Sequence, residues 1–279
     1  MIKRIILLVC FMILPSVLLA QTYDRVICLA PSLTKSIYEL QAEEKILGVT
    51  KFRPDEASSK EIIGDLQNIN YEKVLLLKPE IVFAKADCTR PEVLRKIRSL
   101  GLLVKVFPED INFSDISSNY IMLAELIGKK AQAEKIIKDI NKVIKNIRER
   151  TAKKNEIRVF WQVGIKPVVT AGSKSFVNDI MIFAGLRNIF SDVAKTYFIA
   201  GPEEVVVRNP EIILYVAGMD EASKALDFWK RYPATDALRR SNIFPLNADS
   251  VCQPTPVRFL EALKKVIRII ETYNCNEEI

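Results

Sequence analysis

The strongest constraint in this sequence is an internal repeat, which predicts two similar halves. Residues 203–215 repeat the pattern of residues 72–84, 131 positions later: an acid, a short apolar stretch, a proline and an apolar run. Glu72 and Glu203 stand where the first turn of a helix favours an acid, and the proline ends each helix. The apolar runs that follow predict strands buried on both faces, as in a parallel sheet. Two similar halves predict two lobes with a cleft between them.

Strand-like and helix-like patterns alternate along both halves, which predicts βα units and mainly parallel sheets. In the first half we expect strands over residues 25–29, 46–49, 81–83 and 103–107, and helices over 33–40, near Glu72 and over 91–100. In the second half we expect strands near residues 159–161, 168–170, 212–215 and 243–244, and helices over 175–184, around Trp229 and over 256–271.

A long helix is predicted between the two halves. Residues 129–152 have apolar side chains at helical spacing and contain neither Gly nor Pro, so the helix should be continuous. At 1.5 Å per residue it spans about 36 Å. We therefore predict an α/β fold of two Rossmann-like lobes, at residues 21–128 and 153–279, joined by this helix and separated by a ligand cleft. A helix resists hinge motion more than a Gly-rich linker does, so the cleft should close only slightly.

The first 20 residues have the composition of an export signal. Lys3 and Arg4 form a basic start, residues 5–14 are apolar, and Ala20 offers a small residue for cleavage. Because this apolar run is short for a membrane span, we predict a cleavable signal peptide over residues 1–20 and a periplasmic protein. An uncleaved anchor is the alternative.

Histidine is absent from the whole chain. Its absence removes the commonest metal ligand and the usual general base, and no other motif indicates catalysis, so we predict neither a catalytic residue nor a metal site. The formal net charge is +7, and the basic residues of the long helix alternate with acidic ones. This alternation favours a solvated helix face over a nucleic-acid surface, so no nucleic-acid partner is expected.

Four cysteines follow the export segment: Cys28, Cys88, Cys252 and Cys275. An oxidising compartment permits disulfides, but four thiols allow three sets of pairings and the sequence does not choose among them. Cys28 lies in an apolar run and is expected to be a small buried side chain.

Several motifs, taken in order, resemble the periplasmic substrate-binding proteins of cobalamin, haem and ferric-siderophore ABC importers. The resemblance runs over nearly all of the chain after residue 20, and the stretch 170–190 is most similar to the cobalamin-binding branch. The motifs that carry it are residues 25–32, 48–49, 70–82, 96–106, 170–179, 184–190, 203–213 and 253–258.

The resemblance implies a ligand held between the lobes by loops at the carboxyl ends of the strands, in agreement with the rule for open α/β sheets. Aromatic side chains suit the apolar faces of a corrinoid or an iron chelate. Core packing is the alternative for each of the aromatic residues Phe52, Trp161, Phe176, Tyr197 and Trp229. A solvated surface position is the alternative for Arg90 and Arg258. The candidate ligand-binding residues are Pro31, Ser32, Phe52, Gln67, Asp87, Arg90, Trp161, Ser173, Phe176, Tyr197, Trp229, Gln253 and Arg258. In the same loops, Cys88 and Cys252 form either a disulfide between the lobes or thiols that line the ligand.

The same resemblance implies that Glu72 and Glu203 dock onto arginines of an inner-membrane ABC permease. The alternative is that each acid only favours the positive end of its helix, by about 0.3 to 1 kcal/mol. Matching positions on two lobes suit a twofold transporter, which favours docking. We expect a monomeric carrier.

The cargo is left open by two departures from the cobalamin-binding pattern. A tryptophan common near residues 65–68 is missing, and the motif that is commonly Arg-Pro-Gly-Pro-Arg is altered at residues 253–258. We predict a non-catalytic carrier without a resident cofactor, whose cargo is a cobalt corrinoid or another metal chelate. The alternatives are a haem or ferric-siderophore carrier of the same family, a tetrapyrrole chelatase-like enzyme on the same architecture, and a sensor module.

Overall fold

A five-stranded parallel sheet forms the first lobe. The computed structural model describes residues 21–152, 156–217 and 222–277. The strand order is β3-β2-β1-β4-β5, with every pairing parallel. The strands are β1 Val26–Cys28, β2 Ile46–Val49, β3 Glu61–Ile62, β4 Ile81–Lys85 and β5 Val104–Phe107. The helices that cover them are α1 Pro31–Glu39, α2 Tyr71–Leu76 and α3 Pro91–Ser99.

The second lobe contains a six-stranded mixed sheet. Its order is β11-β10-β6-β7-β9, and β8 pairs with β6. β6 is parallel to β8 and β10, and β10 is parallel to β11, whereas β7 is antiparallel to β6 and β9. The strands are β6 Ile157–Ile165, β7 Val168–Ala171, β8 Leu186–Asn188, β9 Tyr197–Ile199, β10 Ile212–Ala217 and β11 Ile243–Asn247. The helices are α6 Phe176–Phe183, α7 Pro202–Arg208, α8 Ala222–Trp229, α9 Asp236–Arg239, α10 Ala248–Val251 and α11 Pro256–Glu277.

Local sequence signals explain where several helices begin and end. Asn70 caps α2 by accepting a hydrogen bond from the Lys73 amide at 3.0 Å, and Ser175 caps α6 through the Asn178 amide. Gly185 follows α6 with a φ of +71°, a conformation that glycine adopts without the steric cost of a Cβ. The repeat is confirmed, because α2 and β4 have their counterparts in α7 and β10.

Two antiparallel helices connect the lobes. α5, Lys130–Thr151, is the predicted long helix. α4, Phe113–Leu126, precedes it and is a helix that was not predicted from the sequence. Each helix packs in both cores: Tyr120 and Ile137 belong to the first-lobe cluster, and Phe113 and Ile144 belong to the second-lobe cluster. The connection is therefore a helical hairpin with one continuous apolar surface.

Two sequence predictions fall outside the described residues. One is the export segment at residues 1–20, and the other is most of residues 217–220, where a cleft loop is expected after the strand predicted near 212–215. Among the described helices, none is both long and apolar enough to cross a bilayer.

We predict that Gly185→Ala lowers the free energy of unfolding by about 2 kcal/mol or more. The positive φ alone costs a Cβ-bearing residue about 1–2 kcal/mol, and the new Cβ would lie 2.9 Å from Thr151 Cβ. Gly101→Ala is the matched control, since its φ is +80° with no atom within 4 Å of the added Cβ, so it should lose only about 1 kcal/mol. Urea unfolding measures both variants, and equal losses would contradict the packing argument.

Candidate functional site

A cavity of about 240 Å³ lies between the carboxyl edges of the two sheets. The first lobe supplies three side chains from the loops after β4 and β5, and the second lobe supplies the remainder. Open α/β sheets bind ligands at this edge. The lining residues are Asp87, Glu109, Asp110, Trp161, Val163, Phe176, Val177, Thr196, Tyr197, Val216, Val251, Cys252 and Pro254.

The first-lobe wall is acidic and is anchored by a buried network. Asp110 forms an ion pair with Lys85, and both side chains are almost fully buried. Asn119 on α4 donates to Asp110 at 2.7 Å and to the Pro108 carbonyl at 3.0 Å. Burial raises the pKa of Asp110, while Lys85 and Asn119 act in the opposite direction. The network fixes the loop after β5 against α4.

The second-lobe wall is aromatic. Trp161 comes from β6 and is fully buried, Phe176 opens α6, and Tyr197 opens β9 with 42% of its surface exposed. Loss of water around the phenol raises the pKa of Tyr197, and negative charges that include Asp87 and Glu109 raise it further. Tyr197 therefore stays protonated at neutral pH and can donate a hydrogen bond.

The charge of the lining is negative. Asp87, Glu109 and Asp110 contribute carboxylates, and no Lys or Arg is among the described lining residues. The buried Lys85 lies behind this wall, and its ammonium group forms the ion pair with Asp110. The wall facing these carboxylates offers apolar side chains and the Tyr197 hydroxyl. The cavity therefore suits a ligand with apolar faces and hydrogen-bond donors or positive charge at its edge.

Four of the predicted ligand contacts line this cavity: Asp87, Trp161, Phe176 and Tyr197. Trp161 lies inside β6, because that strand continues past the predicted residues 159–161 to Ile165. Glu109 and Asp110 were not among the predicted contacts, although they lie two and three residues after the predicted strand over 103–107. The rule that carboxyl-end loops form the site would have identified them.

Other predicted contacts lie outside the cavity lining. Pro31 and Ser32 begin α1, Arg90 immediately precedes α3, and the Ser173 hydroxyl donates to the Val193 carbonyl at 3.1 Å. Gln253 is partly buried with no hydrogen-bond partner for Oε1 in the described structure.

Phe52 and Gln67 occupy exposed loops of the first lobe, also outside the cavity lining. The two loops are joined by the ion pair of Lys51 with Asp65 at 3.2 Å. Asp65 also accepts hydrogen bonds from the amides of Gln67 and Asn68, both at 2.8 Å.

Trp229 requires a correction. Its side chain is fully buried in a second-lobe cluster with Phe160 and Phe190, away from the residues that line the cavity. The indole donates to Gln162 Oε1 at 2.7 Å, and the ring packs edge-on against Phe160 at 5.5 Å between centroids. Trp229 therefore packs in the core beneath the sheet and does not line the cavity.

No disulfide joins Cys88 to Cys252 in the described part of the chain. Burial, aided by the charge of Asp87, raises the pKa of Cys88 to about 11, and Cys252 lines the cavity. Burial raises the pKa of Cys28 to about 12, so this thiol is the small buried side chain predicted from the sequence. The side chain of Cys275 lies outside the described residues.

Arg258 lies at a junction between the lobes and not in the cavity lining. Thr255, at the start of α11, donates to Glu39 Oε1 on α1 at 2.8 Å, and Glu39 Oε2 is buried without a partner in the described structure. Burial raises the pKa of Glu39 to about 7, against the hydrogen bond from Thr255 and the charges of Lys35 and Arg258, while Glu261 acts with burial.

The two predicted docking glutamates are exposed in the first turns of α2 and α7. α2 connects the parallel strands β3 and β4, and α7 connects β9 and β10, which pairing through β7 and β6 makes parallel to one another. A crossover helix between parallel strands begins at their carboxyl edge. Glu72 and Glu203 therefore lie at the edges that face the cavity. Neither acid takes part in an ion pair among the described residues.

A sequence model of the family described as "Periplasmic binding protein" matches residues 26–249. The chain is 28% identical over 261 residues to a vitamin B12-binding protein of Vibrio cholerae, covering 92% of this chain and 93% of the relative. The crystal structure of the periplasmic vitamin B12 binding protein of Vibrio cholerae superimposes with a TM-score of 0.77 at 27% identity, covering 90% and 97% of the two chains. A periplasmic haem binding protein of Vibrio cholerae shares the fold with a TM-score of 0.75 at 18% identity, covering 88% and 98%.

The fold, the cavity between two sheets and the family match define a two-lobed solute-binding protein. The chain belongs to the periplasmic binding protein family. Membership of this family implies a periplasmic location.

The raised pKa of Glu39 predicts a pH-dependent stability. The folded pKa of about 7 lies above the unfolded value near 4.5, so protonated Glu39 stabilises the fold. This contribution to the free energy of unfolding is complete below pH 4.5 and is lost as pH rises through 7. Each pKa unit of the shift corresponds to about 1.4 kcal/mol. Glu39→Gln should therefore gain stability relative to the unsubstituted protein as pH rises from 5 to 8.

Urea unfolding at several pH values measures this difference, and Glu134→Gln, an exposed acid on α5, is the control that should keep the original pH profile. An identical pH profile for Glu39→Gln and the unsubstituted protein would contradict the assignment.

Proposed function

We propose that the protein is a periplasmic carrier that captures a corrinoid between its lobes and delivers it to an ABC importer. The observation that carries the proposal is the cavity at the carboxyl edges of both sheets, with carboxylates on one wall and aromatic rings on the other. Relatives at 26–28% identity along nearly their whole length are vitamin B12-binding proteins, which supports this cargo class.

The charge of the cavity favours a corrinoid over haem. The edge of a cobalamin carries neutral amides, whose N–H groups can donate to Asp87 and Glu109. Haem carries two propionates, which these carboxylates would repel. Tyr197 can donate to an amide carbonyl of the same cargo. Haem and ferric siderophores are therefore the second choice, supported by the shared fold alone.

The size of the cavity indicates how the cargo would sit. A volume of about 240 Å³ is below the range of about 300–1,000 Å³ typical of sites that enclose a drug-sized ligand. A corrinoid is larger than such a ligand, so it would place one edge in the cavity and extend into the open cleft. Phe52 and Gln67, in exposed loops of the first lobe, are candidates for contacts with the protruding part.

Delivery requires a partner in the inner membrane, and Glu72 with Glu203 are its proposed contacts. One exposed acid on each lobe, at equivalent positions of the repeat, fits a permease with two equivalent cationic sites. The protein would act without a resident cofactor and without catalysis, after export directed by a cleavable signal at residues 1–20. A chelatase-like enzyme is disfavoured because the chain has no histidine.

Isothermal titration calorimetry with cyanocobalamin tests the proposal. We expect one site per chain, and Tyr197→Ala should weaken binding by about tenfold or more, because a partly exposed ring that would pack on the cargo contributes about 1.5 kcal/mol. Ile182→Ala is the matched control, since this apolar side chain of α6 is 52% exposed and lies outside the cavity lining. Its affinity should equal that of the unsubstituted protein.

The same titration with haemin tests the charge argument. The unsubstituted protein should bind cyanocobalamin more tightly than haemin, and Asp87→Asn with Glu109→Gln should improve haemin binding by about fivefold or more. Tight haemin binding without any heat from cyanocobalamin would contradict the corrinoid assignment.

A further inference from the structure

Two of the most exposed large apolar side chains in the described residues occupy equivalent positions in the two lobes. Leu76 on α2 is 79% exposed and Val207 on α7 is 83% exposed. They are 131 positions apart, which is also the separation of Glu72 and Glu203. Exposed apolar side chains scattered singly need no explanation, but a matched pair on the two copies of a structural repeat does.

Each apolar side chain shares a helix face with a proposed docking acid. Leu76 follows Glu72 by four residues, and Val207 follows Glu203 by four. Side chains at this spacing lie one above the other on a helix. Each lobe therefore presents the same strip, with an acid at the carboxyl edge of its sheet and an apolar side chain one turn below.

The adjacent apolar positions are less exposed: Leu75 is 42% exposed, and Val206 is partly buried. Val74 and Val205, two residues before each apolar side chain, are fully buried and anchor their helices to the lobe cores. Polar neighbours form ion pairs within the protein: Lys73 with Glu61, and Arg208 with Glu204 and Asp192. The strips therefore lie on helices that are anchored to the lobe cores. Their outward side chains, Glu72 with Leu76 and Glu203 with Val207, are exposed and accessible to a partner.

We propose that Leu76 and Val207 form a pair of apolar contacts with the transmembrane subunits of the importer, beside the proposed salt bridges of Glu72 and Glu203. This inference rests on the proposed delivery function. Each apolar side chain would enter a recess next to the partner's cation and exclude water from the neighbouring ion pair. Salt bridges in contact with water contribute little, whereas exclusion of water strengthens them.

The acids Glu72 and Glu203 favour a permease over two other possible partners, an anionic lipid surface and a second copy of this chain. An anionic lipid surface would be repelled by the acid of each strip. A second copy of this chain would bring its own acids against Glu72 and Glu203, so like charges would meet. A permease built from two equivalent subunits, each offering a cation beside an apolar recess, matches both strips at once.

The experiment measures binding of the full-length protein to its ABC importer, purified in lipid nanodiscs, by surface plasmon resonance in low and high salt. Leu76→Ser and Val207→Ser should each weaken binding by about tenfold, because each removes most of the apolar burial of one side chain. The loss should persist in high salt, whereas the loss caused by Glu72→Gln and Glu203→Gln should shrink there. Ile182→Ser is the control and should bind normally, and thermal unfolding should confirm that every variant is folded.

The outcomes separate this inference from the function on which it rests. If the glutamate variants weaken binding and the Leu76 and Val207 variants do not, docking stands and the apolar contacts are refuted. If neither set alters binding, or if no binding is detected, the docking surface itself is refuted. If Leu76→Ser weakens binding and Val207→Ser does not, the paired, twofold use of the strips is refuted.

Discussion

The helical hairpin of α4 and α5 is the feature on which the rest of the structure depends. One apolar surface along this hairpin is shared by two hydrophobic cores: Tyr120 and Ile137 pack with the first sheet, and Phe113 and Ile144 pack with the second. The lobes cannot separate widely without exposing part of this surface to water, at about 25 cal/mol for each Å². The hydrogen bond from the Phe113 amide to Asp179 at 2.9 Å adds a polar contact across the same junction.

A fixed relation between the lobes explains how two ordinary sheet edges become one site. The carboxylates after β4 and β5 and the rings of Phe176 and Tyr197 come from parts of the chain 66 to 110 residues apart, yet they line one cavity. Because the hairpin holds both edges, little ordering is needed when a ligand binds, and a preorganised site loses less affinity to entropy. The outward acids and apolar side chains of α2 and α7 are held at a defined spacing by the same scaffold, which suits recognition by a rigid twofold partner.

The sequence predicted the architecture well because its signals are local. Asn70, Ser175 and Gly185 mark helix ends at the positions observed, and the repeat identified equivalent units in both lobes. The helix α4 was missed although Asn112 caps it and Phe113, Ile116, Tyr120 and Leu123 have helical spacing. The site was harder, because burial is set by distant packing. Trp229 is an aromatic residue of the kind that often contacts a ligand. Its contacts with Phe160 and Gln162, more than 60 residues earlier in the chain, place it in the core instead.

A crystal structure of the protein with cyanocobalamin tests the central claim most directly, that two sheet edges held by a helical hairpin form a single carrier site. We predict that the corrinoid lies between the lobes, with its amide edge at Asp87 and Glu109 and an apolar face against Tyr197. The two sheets should keep nearly the same relative orientation as in the free protein. A corrinoid bound elsewhere on the surface, or a large rotation of one lobe about the hairpin, would contradict the account.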